Sequence, residues 1–153
     1  MADTAQKLMT HKEFVLWCLE QEDRCELVDG VPVVRDVTPT GQAGASGIHD
    51  TIVVSCVVPL ARQLHGKRCR AATGDIAVRT GDRKTQRPDV HMVCDPPDAT
   101  TDETGDVQLI VEVISQSNKG LAWQRKLEQY KARTDLEYLM LIEQNPHDVL
   151  LVA

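Results

Sequence analysis

Aromatic residues are scarce in this chain. They make up 3% of the 153 residues, whereas hydrophobic residues as a whole make up 42%. A hydrophobic core must therefore be built mainly from Val, Leu, Ile and Ala. The scarcity also argues against a carbohydrate hydrolase that uses paired carboxylates, because sugar-binding sites usually stack the sugar ring on Trp or Tyr.

Recurrent cysteine spacing is also missing. The chain has an odd number of cysteines and no C-x-x-C motif, which argues against a zinc site and against the disulfide framework of a secreted protein. This pattern predicts free thiols in a reducing cytosol. The five cysteines are Cys18, Cys25, Cys56, Cys69 and Cys94.

The chain has no apolar signal core near its N-terminus and no apolar run long enough to cross a membrane. These absences predict a soluble, cytoplasmic protein. The length of 153 residues is close to the commonest size of one domain. We therefore expect a single domain over residues 1–153, with a flexible N-terminus at residues 1–9.

Positive charge is not in excess, since the formal net charge is −6. A DNA-binding domain is expected to present a basic face, so the overall charge does not favour nucleic-acid binding. The charge is unevenly distributed, however, and one basic run lies next in sequence to Asp89. Such a run is either a solvated surface or a set of contacts to a nucleic-acid backbone. Its members are Arg79, Arg83, Lys84 and Arg87.

The N-terminal third predicts a helix and a hairpin. Thr10 followed by Glu13 is a capping-box pattern, and it predicts a helix from about Lys12 to Gln21. Asp29-Gly30 lies between two apolar runs and predicts a β-hairpin, because both residue types tolerate positive φ. Glu26 then lies on the first strand of that hairpin. The segment Thr38 to Gly47 is rich in glycine and is predicted to be a loop.

Local and periodic signals disagree from Ile48 to Leu64. The β-branched run within it is typical of a strand. Apolar residues repeat every four positions, however, which is typical of an amphipathic helix. We favour a helix, kinked at Pro59.

The rest of the chain alternates strands with one helix. A helix is predicted from Lys119 to Arg133. The pattern as a whole predicts one α/β domain with a mixed β-sheet flanked by helices. The predicted strands are Asp75 to Arg79, Asp89 to Cys94, Gln108 to Ser115, Glu137 to Ile142 and Asp148 to Val152.

Two carboxylates occupy unusual positions. Glu112 is the one ionisable residue in the apolar run from Leu109 to Ile114, which is typical of a central strand covered on both faces. A buried carboxylate must be neutral, paired or bound to a metal; otherwise Glu112 ends its strand and reaches solvent. Asp89 follows Pro88 at the start of another apolar strand. It is either a site residue or a turn aspartate that caps backbone amides.

Lys126 lies on one helical face with Trp123, Leu127 and Tyr130. Its amine either extends to water or points into a carboxylate cluster. Magnesium prefers hard oxygen ligands, and a nearby lysine can orient water or stabilise charge on a phosphate. Strand carboxylates with a helix lysine therefore suit hydrolysis of a phosphodiester.

From about Thr10 to Val152, the sequence resembles the Uma-type restriction-endonuclease family, within the PD-(D/E)XK nuclease superfamily. Each marker is weak alone, but their order and spacing are fairly specific. The markers are the Cys25–Gly30 hairpin, His49 at the start of a helix, Gly74–Val78, Arg87–Val90, Val111–Ser115 with Ser117, and Lys126–Tyr130.

The resemblance implies a restriction-endonuclease-like core with Mg²⁺, or else Mn²⁺, as cofactor. It implies that Asp89 and Glu112 hold the metal and that Glu26 is an additional acidic ligand. The lysine expected two positions after Glu112 is replaced by Ile114, and Lys126 on the following helix takes its place. Gln129 and Tyr130 either line the site or, in the case of Tyr130, belong to the core.

The function predicted is Mg²⁺-dependent hydrolysis of DNA phosphodiester bonds by an endonuclease. The catalytic set is Glu26, Asp89, Glu112 and Lys126. The alternative is a non-catalytic module of the same fold that dimerises or binds nucleic acid. A homodimer is compatible with either function.

Overall fold

The computed structural model describes residues 7–34, 47–95, 105–114, 120–144 and 149–152. Within them the chain forms three helices and nine strands in two sheets. The predicted α/β class is confirmed. In chain order the elements are α1 (His11–Cys18), β1 (Cys25–Val28), β2 (Val31–Val34), α2 (Gly47–Leu64), β3 (Cys69–Thr73), β4 (Val78–Gly81), β5 (Lys84–Gln86), β6 (Val90–Cys94), β7 (Asp106–Ile114), α3 (Leu121–Lys131), β8 (Tyr138–Glu143) and β9 (Val149–Val152).

The capping box predicted for the first helix is present. The hydroxyl of Thr10 accepts a hydrogen bond from the amide of Glu13 at 3.3 Å, and the Glu13 carboxylate accepts one from the amide of Thr10 at 2.9 Å. The helix ends earlier than predicted, at Cys18. Phe14 of α1 is buried against Cys25 and Leu27 of β1. This contact fixes α1 on one face of the hairpin.

The predicted hairpin is also present. Asp29 and Gly30 have φ values of 49° and 88°, so both turn residues adopt the left-handed conformation that a tight two-residue turn requires. The carbonyl of Gly30 accepts a hydrogen bond from the amide of Met9 at 2.8 Å. Of the N-terminus expected to be flexible, residues 1–6 lie outside the described residues, whereas Met9 is attached to the hairpin.

The strands divide between two sheets. A four-stranded antiparallel sheet has the order β2-β1-β5-β4, and a five-stranded sheet has the order β3-β6-β7-β8-β9. In the larger sheet β7 and β8 are parallel, with α3 as the connection, and the other pairs are antiparallel. The predicted mixed sheet is therefore the five-stranded one, and the single-sheet expectation was incomplete.

Two strands were missed because their sequences are weak strand formers. β5 is only three residues, Lys84–Gln86, and β3 contains Arg70 with two alanines. The strand predicted from Asp75 begins instead at Val78. These short strands depend on pairing with their neighbours, which local propensity does not reveal.

The helix favoured over Ile48–Leu64 is confirmed, with Pro59 inside it. The four-residue apolar repeat was thus a better guide than the β-branched composition, because periodicity reflects the face that packs on a sheet. A kink at Pro59 stays a prediction. Among the described residues no helix is both long enough and apolar enough to cross a membrane.

The main core lies between the sheets and α3. Apart from Tyr130 its buried members are aliphatic, as the scarcity of aromatics predicted, and each contributes roughly 1.5–3 kcal/mol by leaving water. These residues are Val78, Val107, Ile110, Ile114, Tyr130, Leu139 and Leu141.

The expectation of free thiols is wrong for two cysteines. Cys69 and Cys94 form a disulfide, while Cys18, Cys25 and Cys56 are free. Cys69 of β3 lies directly opposite Cys94 of β6 in the antiparallel register. The two cysteines are 25 residues apart in the sequence and form no local spacing motif, so the sequence pattern did not reveal the bond.

Some predicted features lie outside the described residues. They include the loop Thr38 to Gly47, except for Gly47, which begins α2. The markers Ser115 and Ser117 lie there too, as does Lys119, the predicted start of α3.

Candidate active site

Glu112 lies in the middle of the five-stranded sheet. Its strand β7 pairs with β6 on one side and with β8 on the other, and its side chain is 2% exposed. Oε1 of Glu112 accepts a hydrogen bond of 2.6 Å from the Tyr130 hydroxyl and lies 2.9 Å from Nζ of Lys126. Glu112 therefore does not reach solvent, and it is paired in the interior.

Lys126 projects from α3 toward the carboxylates. The parallel connection from β7 through α3 to β8 lays this helix back across the sheet. Nζ lies 2.9 Å from Oε1 of Glu112 and 3.0 Å from Oε1 of Glu26, and the side chain is 12% exposed. The amine thus points into a carboxylate cluster and does not extend to bulk water.

Glu26 reaches the same amine from the other sheet. It lies on β1, where the alternating strand directs Cys25 and Leu27 toward α1 and Glu26 toward the opposite face. Its Oε1 also accepts a hydrogen bond from the backbone amide of Arg87 at 2.9 Å. Lys126 consequently links a carboxylate of the four-stranded sheet with one of the five-stranded sheet.

Asp89 lies immediately before β6 and is 6% exposed. Its Oδ2 accepts a hydrogen bond from the amide of Val113 at 2.7 Å, and its Oδ1 lies 3.2 Å from Nε2 of His49. Asp89 thus caps a backbone amide, as one reading of the sequence suggested. The capped amide belongs to the residue after Glu112, so both carboxylates lie at the same end of the β6–β7 pair.

His49 was not predicted as a site residue. In the sequence it was only a family marker at the start of a helix, and α2 brings its imidazole to Asp89.

Tyr130 agrees with both interpretations that the sequence left open, because its ring is buried in the core and its hydroxyl contacts Glu112.

Gln129 points elsewhere on α3. Its Oε1 accepts hydrogen bonds from the hydroxyl of Thr80 at 3.0 Å and from Nε2 of Gln86 at 2.7 Å. Gln129 therefore attaches α3 to β4 and β5, which helps to hold Lys126 in place.

Three of the four basic candidates lie on or near the four-stranded sheet. Arg79 forms an ion pair with Asp82 and lies opposite Thr85, whose hydroxyl contacts His11 of α1. It is thus on the α1 face, away from Lys126. The other two, Arg83 and Lys84, flank the β4–β5 turn; Arg83 is exposed, and Nζ of Lys84 lies 3.4 Å from Asp29.

Arg87, the fourth candidate, is folded against the protein. Its guanidinium donates hydrogen bonds to backbone carbonyls of Cys25, Gly74 and Asp75. Arg87 therefore contacts β1 and the segment between β3 and β4.

Acidic side chains outnumber the lysine in this cluster. Glu26 and Glu112 share the one ammonium group of Lys126. A low-dielectric surrounding strengthens the attraction of such a cluster for a cation. Removing Lys126 would leave two partly or fully buried carboxylates without their shared cation, which is costly.

The donor set suits a hard divalent cation. Among the described residues, no three His, Cys, Asp or Glu side chains converge as a group that could hold a metal ion. Magnesium does not require such a cage, because it commonly uses one or two carboxylates and completes its shell with water and substrate phosphate. Asp89 and Glu112 can offer that smaller set of oxygen ligands.

A search of the solved structures finds a similar fold. A crystal structure titled as a putative nuclease belonging to DUF820, from Anabaena variabilis, matches with a TM-score of 0.67 and 19% identity. The match covers 94% of this chain and 79% of that one. At this identity the likeness shows the fold alone. No curated protein matches the chain.

A family comparison covers nearly the whole sequence. The sequence profile of the Uma2 family, described as "Putative restriction endonuclease", matches residues 11–151. The matched region contains all four residues of the predicted catalytic set. The chain belongs to the Uma2 family.

Proposed function

We propose that this protein is a Mg²⁺-dependent endonuclease that hydrolyses phosphodiester bonds of DNA, with Mn²⁺ as an alternative cofactor. The observation that carries the proposal is the contact of Lys126 with both Glu26 and Glu112, at 3.0 and 2.9 Å. These residues come from separate elements and meet in the interior. Family membership and the nuclease-like fold support the same function.

In this mechanism Asp89 and Glu112 would hold the metal, with Glu26 assisting directly or through water. The ion would supply charge neutralisation at the phosphate and acidify a bound water. Lys126 orients the attacking water and stabilises negative charge that develops on the phosphate. Tyr130 fixes the orientation of Glu112 through its hydroxyl. Arg83 and Lys84 are the exposed and half-exposed candidates for contacts to the DNA backbone.

The test is cleavage of supercoiled plasmid with MgCl₂, with MnCl₂ and with a chelator. We expect nicking that requires a divalent cation and falls at least about 100-fold in Lys126→Ala, the scale expected when a group stabilising transition-state charge is lost. Lys131→Ala is the matched control, because Lys131 lies on the same helix and is exposed. Equal rates for wild type and Lys126→Ala would refute the mechanism.

A second candidate is a non-catalytic module of the same fold that dimerises or binds nucleic acid. Two observations favour it: the net charge of −6, and the lack, among the residues described, of a convergent group of three metal ligands. Calorimetric titration with MnCl₂ separates the two functions. Binding that Asp89→Asn and Glu112→Gln abolish supports the nuclease, and no binding supports the module.

We propose that residues 1–153 form one nuclease-like domain that acts in the cytoplasm, where DNA is accessible. Because Cys69 and Cys94 form a disulfide, the cysteines do not indicate this location, and the proposed DNA substrate is what supports it. A homodimer stays a prediction, and sedimentation equilibrium would test it.

A further inference from the structure

Arg87 lies where the two sheets meet at the candidate site. It follows β5 of the four-stranded sheet directly and precedes Asp89 by two residues, at the entrance to β6 of the five-stranded sheet. Its backbone amide donates a hydrogen bond of 2.9 Å to Oε1 of Glu26. Arg87 thus contacts the acidic side chain of the four-stranded sheet and lies two residues before Asp89, which immediately precedes the five-stranded sheet.

The guanidinium of Arg87 is directed into the protein. Nε donates to the carbonyl of Cys25 at 2.9 Å, and Nη1 donates to the carbonyls of Gly74 and Asp75 at 3.2 and 2.6 Å. The thiol of Cys18 also lies against it, where burial raises the pKa of the thiol and the guanidinium partly opposes that rise. These contacts join α1, β1 and the segment between β3 and β4.

The acceptors of these hydrogen bonds are neutral backbone carbonyls. The guanidinium reaches them by donating in different directions from its planar, forked group. A contact of Nε or Nη1 with a DNA phosphate would require these hydrogen bonds to break. A lysine could keep the charge but could not donate in two directions from a planar group. The geometry therefore differs from that of Arg83, an exposed arginine of the same basic run.

We infer that Arg87 is a positioning residue, which sets the location of Glu26 relative to Asp89 by anchoring the segment between them, and that it is not a DNA-backbone contact. The inference rests on the proposed function where it concerns metal binding. The side chain acts on the segments that carry the two carboxylates, because it binds the carbonyl of Cys25, the residue before Glu26.

The first test compares Arg87→Lys with wild type by calorimetric titration with MnCl₂. We expect the dissociation constant for Mn²⁺ to rise roughly tenfold, the scale found when residues that orient metal ligands are lost. Arg125→Lys is the matched control, because Arg125 is exposed on α3 and has no place in the proposed site. An unchanged Mn²⁺ affinity in a folded Arg87→Lys protein would contradict the inference.

The second test measures DNA binding without metal across a range of salt concentrations. A residue that neutralises one phosphate contributes about 0.9 to the slope of log affinity against log salt. We expect Arg87→Ala to leave this slope unchanged, and we expect the same result for the control Arg125→Ala. A loss of about 0.9 would identify Arg87 as a phosphate contact and overturn the inference.

The third test requires neither a variant nor nuclease activity. In the wild-type protein the Nε–H of Arg87 should exchange slowly with solvent, measured by NMR, because it donates to the carbonyl of Cys25. Rapid exchange would overturn the inference whatever the cleavage assay shows. Slow exchange in a protein that neither binds Mn²⁺ nor cleaves DNA would refute the proposed function and leave the anchoring role of Arg87 supported.

Discussion

The network around Lys126 and the side chain of His91 both lie in the protein interior, and the structure stabilises them in different ways. Glu112 has an ammonium group and a hydroxyl at hydrogen-bond distance. His91 of β6 is 0% exposed, and within the described part of the chain neither of its ring nitrogens has a hydrogen-bond partner. Burial lowers the pKa of His91 from 6.5 to about 4, and the charges of Arg133 and Arg70 add to the effect.

The difference shows what the interior tolerates. A histidine without partners is accommodated because it can stay neutral at neutral pH, whereas the carboxylates of Glu26 and Glu112 are accommodated with a shared cation. Replacing a buried ion pair by apolar residues is often neutral or stabilising, so stability alone gives little reason for this cluster. Its presence is better explained by a chemical role, which supports the proposed nuclease.

The largest expected effect comes from breaking the network at its centre. Lys126→Met leaves Glu26 and Glu112 without their shared cation, and we expect the free energy of unfolding to fall by about 3–5 kcal/mol. Adding Glu26→Gln and Glu112→Gln removes the unpaired charges and should restore most of that loss, but not DNA cleavage. Urea denaturation at pH 7 measures both changes. A Lys126→Met protein as stable as Lys131→Met, the exposed control, would show that the cluster is not a coupled unit.

The next largest effect concerns His91 and acid. Its pKa is depressed in the folded state, so the unfolded chain binds a proton more readily. Above pH 6.5 His91 is neutral in both states and costs no stability. As the pH falls from 6.5 toward 4, the free energy of unfolding decreases, and the decrease amounts to about 3 kcal/mol at pH 4. We expect His91→Leu to flatten this part of the stability profile, measured by urea denaturation at several pH values. His65→Leu, at an exposed position, should keep the wild-type slope, and an equally steep profile for His91→Leu would contradict the assignment.

Elements with a strong local signal could be predicted from the sequence. The capping box of Thr10 and Glu13, the Asp29-Gly30 turn and the four-residue repeat of α2 each express a rule that acts within a few residues. The strand positions of Glu112 and Glu26 and the helix position of Lys126 followed from the same kind of rule. These predictions required no knowledge of which sheets would meet.

Features that depend on register could not be predicted. The second sheet, the contact of His49 with Asp89, the Cys69–Cys94 bond and the inward turn of Arg87 all arise between segments distant in sequence. Periodicity identifies the face on which a side chain lies but not the partner it meets. For the same reason the role of Lys126 was left open between solvent and the carboxylates until α3 was placed on the sheet.

The smallest expected effect separates the two contacts of Glu112. Tyr130→Phe keeps the buried ring and removes only the hydroxyl that donates to Oε1 of Glu112 at 2.6 Å. Lys126 still neutralises the carboxylate, so we expect a loss of only about 1.5–3 kcal/mol in unfolding free energy, typical of one hydrogen bond to a charged group. Cleavage should fall about tenfold, because the orientation of Glu112 becomes less defined. Tyr138→Phe is the matched control, since Tyr138 is half exposed on β8. If Tyr130→Phe cleaves DNA at the wild-type rate while its stability falls, the hydroxyl serves the core alone, and the site depends on charge pairing without help from this hydrogen bond.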